Sequence, residues 1–215
     1  VGNQKSRIIQ MTISLPADWN EVSIAQFQAI QEIFDAKADD YSTNVALISI
    51  LSGEDIDRIQ SLSLKSYANV LKVLDFLKTP IRGEVQKVIK VNGKPYDVIT
   101  DVYKLNGGQY ITLMHILKND NTIKQLHEVM AIFCVPRVRT WYGWKKGKYQ
   151  PDKHQEVAKE MLSATMDMVH PLSAFFFSNY LKSVERILES SVRSAMRIKR
   201  QAEKRLARIK PNTDG

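Results

Sequence analysis

Cysteine is all but missing from this chain. Cys134 stands alone, which excludes an intrachain disulfide and a cysteine-based metal site. Flanked by Phe133 and Val135, it reads as a buried, inert thiol, and a reducing cytoplasm suits such a protein. Long apolar runs are missing too. No window approaches the ~18 residues of a membrane span, and the first residues lack the apolar segment of a signal peptide. Histidine is limited to His115, His127, His154 and His170, never paired at metal-ligand spacing, and His127-Glu128 lacks the second histidine of a zincin helix. Glycine-rich phosphate loops are absent, with neither G-x-G-x-x-G nor a Walker lysine pattern. Gly107-Gly108 could bind an anion through free N–H groups, but reads better as a tight turn into a helix. Asp55 and Asp57 read as acids at a helix N-terminus, offsetting its dipole. No serine sits in a nucleophile elbow. These absences speak against an enzyme, a metal, a cofactor and a small-molecule substrate.

What the chain does have is charge in the wrong place for a balanced surface. Its 215 residues carry a formal charge of +8, with 44% hydrophobic and 25% charged residues. That is enough chain for one large domain or two small ones. Residues 1–136 are nearly neutral, with 14 basic and 15 acidic groups. Segment 137–154 has six basic residues against Asp152 alone, and 190–215 has eight against Glu203 and Asp214. Two local patches make the protein basic.

Periodicity predicts a mainly α (α+β) fold: a multi-helix body over 1–170 with a small β-hairpin over 85–100, then a long helix over 171–215 whose basic end projects. The centre is Glu84 to Pro136. Strands Val85–Val91 and Lys94–Thr100 fold over Asn92-Gly93, a strong type I′ hairpin signal because both residues tolerate positive φ. Helices Gly107–Lys118 and Ile123–Cys134 follow, the first capped by Asn106 with Gln109, the second by Thr122 and stopped by Pro136.

Upstream, Ile9, Met11, Ile13 and Leu15 alternate with polar residues, a half-buried strand pattern. Ser23 with Gln26 makes a capping box for a helix facing inward through Ile24, Phe27, Ile30 and Phe34. Asp39-Asp40 reads as a solvated loop before a helix from about Asn44 to Gly53. Ser63 caps a stripe of Leu64, Tyr67, Val70, Leu71, Leu74 and Leu77. Downstream, Asp152 and Gln155 cap a helix through about Val169. His170-Pro171 breaks it, and Pro171 starts the last helix. If that helix runs to Ile209 it exceeds ~50 Å at ~1.5 Å per residue, and some of it projects.

Two stretches carry the functional signal. Arg193, Arg197, Arg200, Lys204 and Arg208 recur at spacings of three and four, so one helix face is continuously basic, widened by Arg205. Such a face can neutralise phosphates, or meet carboxylates of a partner subunit. The thin stripe of Leu206 and Ile209 on the same helix favours docking. The loop 137–151 mixes Arg137 and Arg139 with Trp141, Tyr142, Trp144 and Tyr149. That composition suits base stacking, but these are also the hot-spot residues of protein interfaces, the reading preferred in an α-rich protein.

The run Leu15-Pro16-Ala17-Asp18-Trp19-Asn20-Glu21-Val22-Ser23 resembles the opening of small proteins encoded among the virion and tail genes of tailed bacteriophages, the crAss-like phages of Bacteroides-type hosts among them. Val91-Asn92-Gly93-Lys94-Pro95-Tyr96, Lys104-Leu105-Asn106-Gly107-Gly108-Gln109-Tyr110-Ile111 and Leu126-His127-Glu128-Val129-Met130-Ala131 extend the likeness over roughly residues 10–180. It transfers no catalytic motif. It implies a multi-copy structural subunit of a virion, a ring or connector component of the tail or head-tail junction, assembled in the host cytoplasm. Its partners would be copies of itself and other virion proteins, with DNA a further partner for the basic helix. A tail assembly chaperone and a stand-alone basic nucleic-acid-binding protein are the alternatives.

Overall fold

The computed structural model describes residues 13–118 and 122–174. All but the last of these belong to one unit that ends at Ser173. The fold is mainly α with a small antiparallel sheet. In order come α1 (Ile24–Ala36), α2 (Asp40–Ser52), α3 (Ile56–Gln60) and α4 (Leu64–Val73), which tightens into a 3₁₀ turn, Leu74–Lys78. Strands β1 (Val88–Val91) and β2 (Lys94–Val98) follow, then α5 (Gly107–Leu117) and α6 (Leu126–Phe133). Next are β3 (Cys134–Pro136), β4 (Val138–Thr140), β5 (Gly143–Lys145) and α7 (His154–Met161). A further helix, α8, is described over 166–174.

Local chemistry sets most boundaries. The Ser23–Gln26 and Asn106–Gln109 capping boxes both form, and Ser63 accepts from the Ser66 N–H. Gly53 ends α2 in the left-handed conformation at φ 72°. Asn92 and Gly93 turn the β1–β2 hairpin with φ of 49° and 76°, as a type I′ turn requires. The paired strands are shorter than the sequence pattern, since Val85–Lys87 and Ile99–Thr100 lie outside them.

Several expectations are corrected. Asp39 is not loop but the N-cap of α2, accepting from the Tyr41 and Ser42 N–H groups, so that helix starts four residues early. Residues 122–125 form a turn, and α6 begins only at Leu126 without Thr122 as its cap. Its C-terminal end becomes β3, which joins the hairpin as a third strand in the order β1-β2-β3, with Asp97 opposite Val135. Pro136 therefore closes a strand. Asp152 and Gln155 do not cap α7: Pro151–Lys153 is a 3₁₀ turn and Lys153 the cap position, with no side-chain bond. Nor does His170-Pro171 break a helix. The chain turns earlier, over 162–165, where Ser23 and Thr165 form a bridge and the Ile24 and Met166 N–H groups bond Ala164 and Val22 carbonyls.

Pro171 instead lies inside α8, where it withholds an N–H from the Asp167 carbonyl. Gly83 packs against that spot so closely that a Cβ would lie 2.2 Å from the Asp167 oxygen. Ile13 and Leu15 are half-buried but not in a strand. The remainder of that strand pattern, Ile9 and Met11, lies outside the described residues, as does the part of the expected last helix that follows Ala174.

One core joins these elements. Ile24, Ile30, Ile48, Ile59, Tyr96, Met130 and Met161 are fully enclosed. Trp19 packs edge-on against Phe27 and Phe76 and donates its Nε1–H to the Thr79 carbonyl at 3.0 Å, tying the entry turn to the end of α4. Not every patterned residue goes inside. Phe34 is 49% exposed and Leu64 85%.

Candidate functional site

The loop between β3 and α7 folds into a second sheet. Thr140 pairs with Gly143 and Val138 with Lys145, so Trp141 and Tyr142 occupy the two-residue tip of the β4–β5 hairpin. Gly143 takes φ 122°, a conformation that suits glycine at this turn. The tip is bare: Trp141 is 85% and Tyr142 71% exposed. Their rings lie 3.6 Å apart and inclined by 33°, with Lys145 Nζ 5.7 Å from the Tyr142 ring centre. Val138, Arg139 and Trp144 are exposed beside them.

Two of the predicted contact residues also bond within their own chain. Arg137 donates from Nε and Nη2 to Asp97 Oδ1 at 3.0 and 2.7 Å, pinning the base of the hairpin to β2. The Asp97 contact raises the pKa of its guanidinium. Tyr149 is half-buried with its hydroxyl 3.3 Å from His154 Nδ1. His154 is buried, and its Nε2 has no hydrogen-bond partner among the described residues. Burial lowers its pKa, with Glu128 opposing and His127 reinforcing the shift. His127 is lowered for the same first reason, desolvation, and meets Gln28 Nε2 at 3.1 Å through Nδ1.

Behind the hairpin lies a cleft of about 420 Å³, bounded by the end of β2, Lys104 to Gln109, and 146–149. Lys104, Lys146 and Lys148 border it. Gly107-Gly108 opens α5 here as a capped helix start, since Asn106 Oδ1 accepts from the Gln109 N–H. Gly147 lines this cleft and lies so near β3 that a Cβ would be 2.0 Å from the Pro136 oxygen. Across β2 the alternate side chain faces α7: Tyr96 hydrogen-bonds Glu160, which also accepts from Lys94 at 2.8 Å. That cluster fastens sheet to helix.

A second open feature was not foreseen. Between α1, α2 and α4 runs a groove of about 570 Å³ with Leu47, Leu71, Leu74 and Leu77 along it and Phe34 at its edge. Helical spacing places Phe34 inward with Ile30, yet α1 ends two residues later and leaves it at the rim. Only the packing of three helices reveals this.

Cys134 is fully buried, and desolvation pushes its thiol pKa far up, so it stays protonated. Among the described residues no three of His, Cys, Asp and Glu come together to hold a metal ion, and no helix is long and apolar enough to cross a membrane. Arg193, Arg197, Arg200, Lys204, Arg205, Leu206, Arg208 and Ile209 lie outside the described residues. Set against protein families, curated proteins and solved structures, the chain matches none.

Proposed function

We propose that this chain is a non-enzymatic structural subunit of a tailed-bacteriophage particle, a ring or connector component of the tail or head-tail junction that works by binding other proteins. The observation that supports it most is the bare aromatic tip of the β4–β5 hairpin. Trp141 and Tyr142 keep most of their surface in water although a large core lies a few residues away. Exposed Trp and Tyr flanked by Arg139 and Lys145 have the composition of interface hot spots. Assembly takes place in the host cytoplasm, and the product resides in the virion.

Mass spectrometry of purified particles tests this. Stoichiometric presence supports the reading, and absence from particles replaces it with a tail assembly chaperone that leaves before maturation. A basic nucleic-acid-binding protein is the second reading, favoured by one observation: from Val138 to Gln150 the hairpin and its continuation contain cations and aromatics but no acid.

A further inference from the structure

The cleft behind the β4–β5 hairpin has an excess of positive charge in its own wall. Lys104, Lys146 and Lys148 line it, and all three are exposed. Lys146 and Lys148 form no salt bridge among the described residues, and Lys104 stands 4.0 Å from Asp101. Among the described residues lining the cleft Asp97 is the only acid, and Arg137 already matches its charge through two bonds to Oδ1. Gly147, between two of the lysines, lies against the Pro136 carbonyl, which fixes the backbone that carries them. Val98 and Ile99 also line the cleft and leave part of their apolar surface uncovered. Tyr149 is the one aromatic in the wall, half-buried beside His154, so a base finds little to stack on. Cations beside apolar surface fit an acidic segment that carries an aliphatic side chain.

Such a segment stands at the start of α3. Asp55, Ile56 and Asp57 are consecutive and exposed, Ile56 by 50%. Asp55 occupies the N-cap position but makes no side-chain cap bond. Neither aspartate is in a salt bridge among the described residues, and neighbouring Glu54 is matched by Arg58. Asp39-Asp40 differs, because Asp39 is committed to the α2 cap.

We propose that the lysine-lined cleft of one copy takes Asp55-Ile56-Asp57 of the next. This rests on the particle-subunit reading and names the partner, a second copy of this chain. Asp55 and Asp57 meet the ammonium groups of Lys104, Lys146 and Lys148, and Ile56 covers Val98 and Ile99. Exposed charge pairs set register and speed encounter more than they add affinity. Ile56 therefore supplies the apolar burial, and the charges decide where it goes. The two surfaces differ, so each added copy leaves one of each free, and repetition closes a ring or extends a filament.

Charge reversal tests the pairing. In sedimentation velocity the full-length wild type should associate beyond a dimer as concentration rises. Lys146→Glu with Lys148→Glu, or Asp55→Lys with Asp57→Lys, should each weaken association by about tenfold or more. Circular dichroism and melting check that each variant is folded. Where a reversal unfolds the chain, Lys146→Gln with Lys148→Gln and Asp55→Asn with Asp57→Asn take its place, with an expected loss of about threefold or more. Ile56→Ala should weaken association as well. The chain that carries all four reversals should associate again, because a Glu-lined cleft then meets a Lys-bearing corner. A monomeric wild type, reversals without effect, or a fourfold variant that stays apart each overturns the inference. Salt-sensitive binding of a single-stranded oligonucleotide by a monomeric wild type, lost in Lys146→Glu with Lys148→Glu, would assign the cleft to phosphates instead. Particle mass spectrometry decides the subunit reading separately.

Discussion

Gly147 shows how much one hydrogen atom can carry. Its backbone crosses β3 at a distance no side chain permits, because a Cβ would lie 2.0 Å from the Pro136 oxygen. Gly147→Ala must therefore push 146–149 away from the sheet, at a cost of about 1–3 kcal/mol. The expected result is a lower melting temperature, with tryptophan fluorescence of the hairpin altered, and an unchanged melt would mean the crossing has slack. His154 makes a second prediction at this scale. Its folded pKa lies below the ordinary 6.5 because burial disfavours the imidazolium. The unfolded chain then takes up the proton first, so the contribution to stability is complete above about pH 6.5 and declines as pH falls below it. Urea midpoints followed between about pH 8 and 5 should fall on the acid side. His154→Gln should make that fall shallower, though not abolish it, since His127 is shifted the same way.

At the scale of elements, short capping phrases proved more informative than long stripes. Ser23–Gln26, Asn106–Gln109, Ser63, Gly53 and Asn92-Gly93 each specify a boundary through bonds made within a few residues, and each forms as read. Helix stripes were less reliable. Leu64 and Ile123 belong to apolar patterns yet sit exposed, because each lies at or before a helix start, where the neighbouring element has not yet come close. The β1–β2 turn offers a clean test. Gly93→Val forces a β-branched residue into φ near 76°, with an expected cost of about 1–3 kcal/mol. Thermal unfolding should move to lower temperature while the far-ultraviolet helical signal is largely retained. No shift in the midpoint would show that the turn tolerates other geometries.

For the whole molecule, the uneven charge remains the feature with the widest reach. If Arg193, Arg197, Arg200, Lys204 and Arg208 contact phosphates, affinity for duplex DNA should fall as salt rises, and changing all five to Gln should flatten that dependence. Gln keeps helix propensity close to that of Arg and Lys, so the charge changes with little backbone cost. If those residues instead serve docking, the Gln variant should associate poorly with no DNA present, and Leu206→Ala with Ile209→Ala should weaken association too. Normal association of the stripe variant, together with lost DNA binding in the charge variant, would assign the basic segment to DNA.

The amino-acid sequence by itself determined the mainly α class, the central hairpin, most caps and the location of the aromatic-cationic stretch. All of these depend on contacts between near neighbours or on one face of one element, and both leave a short-range pattern. What the tertiary structure alone decided depends on residues far apart. Phe133-Cys134 switches from helix to strand because β2 offers Cys134–Pro136 a pairing edge, which overrides a continuous apolar run. Pro171 stays within α8 because the chain has already turned at 162–165, held by bonds to Val22 and Ile24 across more than a hundred residues. Arg137 bonds Asp97, a partner forty residues away that no local pattern announces. The groove beside Phe34 is the space left where three helices meet, and a gap between elements has no sequence pattern of its own.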